Sequence, residues 1–305
     1  MLLYVVIYIL CFMNLSKYDK ETFIIFIKHH PYFLWLNSID FKVWHPTTIT
    51  MYKILPIFLI IFYPFVCMLL PKWRDIGFTG ELYELPYILE NNDYKLLKNL
   101  QSKFYWYEIF TKYNICTPKV YFYNKIQLCD LPDDEIFIKK PVYGTQGFGI
   151  EKVTMDEYMK STDSHDVILQ EFLENCEKHK EGVKSSRILT LSENDIVVAY
   201  SMYVANQTKN DIRSNLVHGN KMTLCNVHNC HGYNELENIT LNKTIQKLIT
   251  LHTNELINIP IIGWDVILTC DCAYVFEGNM CPGKNSEELK NKLINIHHKN
   301  INICK

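Results

Sequence analysis

The sequence predicts an α+β fold behind an apolar and mostly helical N-terminal region. Three observations carry this. Strand-like runs recur between Val120 and Asn279, and the last two, Gly263 to Thr269 and Tyr274 to Asn279, read as a hairpin. Two other stretches, Asn92 to Tyr113 and Thr240 to Ile257, place apolar residues at helical spacing instead. The first 75 residues differ in character from the rest, being apolar and rich in aromatic residues.

A chain of 305 residues with 48% hydrophobic composition has ample material for a sizeable core. Its net charge of −2 gives no reason to expect nucleic acid as a partner. The eleven cysteines are odd in number and follow no disulfide framework, which favours reduced thiols in a cytoplasmic setting. Met1 to Met13 is apolar but lacks the basic start and small-residue cleavage site of a signal peptide. Ile54 to Pro71 is free of charge for 18 residues and flanked by Lys53 and Lys72-Trp73-Arg74, long enough to span a bilayer. Pro56 and Pro64 fit a buried or partner-facing segment equally, so both readings of residues 1–75 stand, with the remaining domain at 76–305.

Along that second part, the helix of 92–113 ends at Thr117-Pro118 and leads into a strand, Val120 to Tyr123. A strand-like run from Glu135 to Tyr143 is followed by the glycine-rich loop Gly144 to Gly149. Thr154-Met155-Asp156-Glu157 reads as a capping box opening a short helix. Strands follow at Val167 to Leu173, Ser186 to Leu191 and Ile196 to Val204, then a polar segment from Asn206 to His218. Cys225, His228, Cys230 and His231 are packed too tightly for paired zinc ligands, so no structural metal is assigned there. Ile259-Pro260 joins the helix of 240–257 to a hairpin, Gly263 to Thr269 and Tyr274 to Asn279, whose turn is expected at Asp271-Cys272. Asn285 to Glu288 opens a C-terminal helix, and Cys281 has no activating base beside it.

Chemistry concentrates in two places. Alternation in the hairpin lets Asp265, Glu277 and Asn279 converge on one face, and three hard oxygen donors suit Mg²⁺, with Mn²⁺ an alternative. In the loop, Gly144, Thr145, Gln146 and Gly147 can present backbone N–H groups to an anion, beside the ammonium of Lys140. Lys139 points to the opposite face of a regular strand. Arg187, a guanidinium within an apolar strand, needs a charged partner, and a phosphate matches its planar fork.

Taken together, Lys140-Pro141 with its glycine loop, the strand ending Gln170-Glu171-Phe172-Leu173, the strand around Arg187, and Gly263-Trp264-Asp265 with Glu277-Gly278-Asn279 and Pro282-Gly283 resemble the ATP-grasp superfamily in its own motif order. The wording is most similar to the sugar-transfer-associated branch, and the resemblance covers about Leu96 to Gly283. It implies two α+β subdomains gripping ATP, one over about 96–165 and the other over 166–283, with 284–305 as a C-terminal helix. It also implies that Lys103, Lys140 and Arg187 contact the phosphates, with Arg187 and Lys140 assisting the transfer. Residues Gln170, Glu171, Phe172 and Leu173 would offer backbone groups to adenine, and Glu177, with Glu174 as competitor, would hold the ribose. Contacts to the acceptor or γ-phosphate would come from around Arg213, Asn215, His218 and Lys221.

The activity implied by the resemblance is ADP-forming ligation, in which a carboxylate is activated as an acyl phosphate and passed to an amine or hydroxyl. The branch points to a small-molecule carboxylate and a sugar or glycan acceptor, with membrane association and a glycosyltransferase partner fitting the apolar N-terminal region. Two alternatives share the same grip on ATP: a kinase acting on a hydroxyl, and a non-catalytic ATP-binding partner of a glycosyltransferase. No nucleophilic Ser/His/Asp or Cys/His arrangement stands out.

Overall fold

The computed structural model describes residues 28–29, 87–132, 136–144, 149–163, 166–173, 184–206, 222–225, 233–269 and 272–280. They fall into two compact units, and Lys98–Pro282 holds both sheets. In the other unit, Glu90 accepts from Lys28 Nζ at 2.8 Å and meets His29 Nε2 at 2.8 Å, while Tyr94 OH lies 2.9 Å from His29 Nδ1. Met1 to Met13, Ile54 to Pro71 and the helix expected after Asn285 lie outside the described residues. Among the described residues no helix is long and apolar enough to cross a membrane.

The single helix expected over 92–113 is two, α1 at Tyr94–Asn99 and α2 at Lys103–Lys112. Ser102 makes the break by acting as the N-cap of α2, its hydroxyl accepting from Tyr105 N–H. Lys103 N–H donates to the Val142 carbonyl at 2.9 Å, so a backbone donor at the start of α2 is satisfied from outside the helix. The end of α2 also comes earlier than Thr117-Pro118. Asn114, at φ 52°, takes the left-handed conformation that stops a helix, a position Asn tolerates better than most residues.

Five strands form the first sheet: β1 Val120–Tyr123, β2 Ile126–Gln127, β3 Phe137–Pro141, β4 Glu151–Val153 and β5 Val167–Glu171. Their order is β2-β1-β5-β3-β4, antiparallel throughout. The capping box at Thr154 opens α3, Met155–Lys160, with Glu157 Oε2 accepting Thr154 N–H at 2.7 Å. Tyr158 of α3 packs with Tyr121, Phe122, Phe137, Val167 and Leu169 on one face of the sheet. Val120, Val142 and Ile168 lie on the other face, covered by Phe104 and Tyr107 of α2. Lys140 pairs with Ile168 and belongs to this second face.

The second sheet holds β6 Lys184–Glu193, β7 Ile196–Asn206, β8 Met222–Cys225, β9 Ile261–Leu268 and β10 Ala273–Met280. It runs β10-β9-β6-β7-β8, also antiparallel. Helix α4 spans Glu235–Glu255, beginning before Thr240 because Asn234 and Glu237 form a second capping box. Its Leu241, Ile245, Leu248 and Leu251 are buried. In this core Trp264 Nε1–H donates to Thr190 Oγ1 at 2.8 Å, Thr190 Oγ1 lies 2.7 Å from His252 Nδ1, and His252 Nε2 lies 2.8 Å from the Ile259 carbonyl. A carbonyl can only accept, so Nε2 carries the proton, Nδ1 accepts from Thr190, and the neutral imidazole satisfies the whole chain.

One expectation about cysteine is corrected. Cys116 and Cys272 form a disulfide, while Cys129 is free. The pairing comes from tertiary structure: the Cys116 carbonyl accepts the Val275 N–H at 2.8 Å, which brings the segment after α2 alongside β10. The hairpin turn is corrected too. Thr269 and Cys272 face each other, Thr269 N–H donating to the Cys272 carbonyl at 2.9 Å, so Cys272 flanks the turn instead of forming its tip.

Candidate functional site

Register across three strands assembles the site. Arg187 of β6 pairs with Asp265 of β9, and Asp265 with Glu277 of β10, so the three side chains stand in one row. The row depends on an irregularity in β10. Val275 pairs with Val266, both buried in the core, and Glu277 pairs with Asp265, so Phe276 is an extra residue without a partner. That bulge turns Glu277 to the face opposite Val275, where simple alternation would have put both on the same side. Gly278 pairs with Trp264 on the core face, and a Cβ there would come within 2.7 Å of the Trp106 ring and 2.8 Å of the Trp264 ring. This glycine is dictated by packing.

Within the row, Arg187 and Asp265 satisfy each other's charge. Arg187 donates through Nε to Asp265 Oδ1 at 2.6 Å and through Nη2 to Oδ2 at 2.8 Å, a forked pair. Asp265 is therefore the charged partner that an arginine in an apolar strand requires, and its neighbouring charge raises the guanidinium pKa against the effect of burial. Asn279 Nδ2 donates to Asp265 Oδ2 at 3.0 Å, which leaves Oδ1 as its acceptor or ligating atom.

Two lysines reach this row from the first sheet and α2. Lys103, the first residue of α2, donates through Nζ to the Gly144 carbonyl at 2.6 Å and lies 3.6 Å from Glu277 Oε2. Lys140 is buried with its Nζ 5.3 Å from the centroid of Phe276. Burial pushes its pKa down to about 7, the Lys103 charge pushes the same way, and Glu277 opposes both. An ammonium held at such cost is a site that a polyanion would relieve. Lys139 is on the opposite face, as expected, bonded to Glu151 at 3.0 Å and Asp163 at 3.1 Å.

The strand end at 170–173 lies at the edge of the first sheet's described part. Gln170 is buried and donates through Nε2 to the Pro118 carbonyl at 3.0 Å, and Glu171 Oε2 accepts the Lys119 N–H at 3.0 Å, so both side chains serve the scaffold. Lys152 Nζ sits 4.0 Å from the Phe172 ring centroid, and Leu173 is half-buried. Gly144 has φ 144° and Gly149 φ 72°, both in the region that favours glycine, and a Cβ on Gly149 would press on the Pro141 ring at 3.3 Å. Thr145, Gln146, Gly147, Glu174, Glu177, Arg213, Asn215, His218, Lys221 and the segment from Asn226 to His231 lie outside the described residues.

The donor set fits a hard divalent cation: two carboxylates and an amide oxygen on adjacent strands. Lys103 and Lys140 beside the row offer cationic donors of the kind that suit nucleotide phosphates. A family model described as the RimK-like ATP-grasp domain matches residues 132–304. The chain belongs to this family. Both five-stranded antiparallel sheets are accordingly the two halves of an ATP-grasp fold, and the Arg187-Asp265-Glu277 row lies on the second.

Among solved structures, the ATP-grasp chain is similar to an L-amino acid ligase from Bacillus licheniformis, at 14% identity over 68% of this chain and 46% of that one, TM-score 0.42. It is also similar to a D-alanine–D-alanine ligase from Bacillus anthracis complexed with ATP, at 13% identity over 66% and 65%, TM-score 0.43. A third is an N5-carboxyaminoimidazole ribonucleotide synthetase from Thermotoga maritima, at 16% identity over 65% and 44%, TM-score 0.38. The chain spans less than half the length of the first and third of these. The comparison with curated proteins returned no match.

Proposed function

We propose that this ATP-grasp protein is an ADP-forming ligase that uses Mg²⁺·ATP, or Mn²⁺·ATP, to join a small-molecule carboxylate to an amine or hydroxyl. The observation that carries the reading is the row Arg187-Asp265-Glu277, with Asn279 beside it, facing Lys103 and Lys140. Phosphoryl transfer asks a protein for positioning and charge neutralisation more than for covalent chemistry, and these residues supply both. Asp265, Glu277 and Asn279 would hold the metal, which would supply charge neutralisation at the nucleotide phosphates. Lys103 would bridge the Gly144 carbonyl and the phosphates. Lys140 would meet the phosphates from the first sheet, and Arg187 would release part of its fork from Asp265 to the transferring group. The substrate carboxylate then attacks the γ-phosphate, ADP leaves, and the acceptor displaces phosphate from the acyl phosphate.

The acceptor is read as a sugar or glycan precursor, on the resemblance to the sugar-transfer branch. Residues 1–75 would then hold the enzyme at a membrane surface near a glycosyltransferase, with the ATP-grasp domain on the cytoplasmic side. Carboxylates labelled with oxygen-18 test the ligase reading directly. An acyl-phosphate route moves one labelled oxygen into inorganic phosphate while an acyl-linked product forms. A phosphorylated product without free phosphate would replace the ligase by a kinase.

A further inference from the structure

Phe276 stands outside the β9–β10 ladder, between the pairs Val275 with Val266 and Glu277 with Asp265. Since neither face of the sheet dictates the direction of a bulged side chain, what it touches is informative. Its ring centroid lies 5.3 Å from Nζ of Lys140, within the range where the negative face of a ring attracts an ammonium. Lys140 comes from the other sheet, is only 5% exposed, and has the like charge of Lys103 close by. Among the described residues no carboxylate forms an ion pair with it. A buried ammonium on a four-carbon stem nevertheless needs something to hold its orientation. A ring does this without neutralising the charge, so the remaining N–H donors stay open to a phosphate oxygen; a carboxylate in the same place would compete with that ligand.

We infer that Phe276 is a positioning residue: its ring holds the Lys140 ammonium in place for nucleotide phosphates. The inference rests on the ATP reading of the site. It also gives the bulge two linked consequences, since the same extra residue turns Glu277 toward Asp265 and lays a ring beside Lys140.

The test is calorimetric binding of inorganic tripolyphosphate and of ATP to the full chain. Tripolyphosphate has no base, which separates an effect through Lys140 from ring contact with adenine. Phe276→Leu is expected to weaken binding of both probes by about three- to tenfold, the range a desolvated ring–ammonium contact supports. Phe276→Tyr, which keeps the ring face, is expected to restore binding to within about twofold on the same basis. In a Lys140→Met background Phe276→Leu should cost nothing more. The inference is overturned if only ATP binding falls, if Phe276→Tyr is as weak as Phe276→Leu, or if the loss persists without Lys140. A wild-type chain that binds neither probe overturns the nucleotide reading itself.

Discussion

Gly278 carries no side-chain atom to offer a ligand, yet it sits between Glu277 and Asn279 and decides whether they are presented. Trp106 and Trp264 close over its Cα, their ring centroids 5.6 Å apart, and leave no room for a methyl group. Gly278→Ala is expected to lower stability by about 1–3 kcal/mol through overpacking, measured by urea denaturation, and to weaken metal-dependent binding because the hairpin must shift. His252 is a second residue whose effect is read at its own scale. It is fully buried as a neutral imidazole, and burial pushes its pKa down from 6.5 to about 4 despite the bond to Ile259. Between those values the unfolded chain binds the proton that the folded chain refuses, so stability rises with pH through this window. Its contribution is complete above about pH 6.5 and is lost as pH falls toward about 4, by on the order of 3 kcal/mol. Denaturation midpoints across that window check this: His252→Gln should flatten the slope, and an unchanged slope would contradict the assignment.

At the scale of elements, the β9–β10 hairpin is held at three places: its pairing with β6, the twin tryptophans under Gly278, and the link to the segment after α2. The disulfide joins Cys116 to Cys272 across 156 residues of chain, and closing so long a loop restricts the unfolded state strongly. Dithiothreitol should therefore lower unfolding stability by about 2–5 kcal/mol, and Cys116→Ser should produce the same loss while abolishing the effect of the reductant. Equal stability with and without reductant in the wild-type chain would show that this link does not hold the hairpin. Elements also mark where reading the sequence stops. Asp265, Glu277 and Asn279 were legible from residue type as a set of oxygen donors on one hairpin. The bulge at Phe276 was not, since it is a property of how β10 registers on β9. The break at Ser102 was masked by apolar residues that keep helical spacing on both sides of it, although a serine before a lysine-led helix is a capping signal. Asn234 and Glu237 formed an equally readable capping box upstream of Thr240. The disulfide had no signal at all, because only tertiary pairing brings Cys116 to the hairpin.

On the scale of the whole molecule, the chain places two antiparallel five-stranded sheets so that Lys140 of one lies against the Phe276 ring of the other, while α2 supplies Lys103 beside Glu277. The α+β class and the order of motifs were legible because strands, glycine loop and hairpin lie in sequence order. Partner choice was less so: Arg187 announced the need for a counter-charge, and register made that charge Asp265. The central claim is that this row serves metal-bound ATP, and the most direct measurement is the Mg²⁺ dependence of ATP binding and ADP formation in the wild type and in Glu277→Ala. The wild type should bind ATP more tightly with Mg²⁺ than without it. Glu277→Ala should lose that difference and at least about a hundredfold of turnover, as expected when transition-state electrostatics are deleted, while melting within a few degrees of the wild type. Full Mg²⁺-dependent turnover in Glu277→Ala would contradict the account.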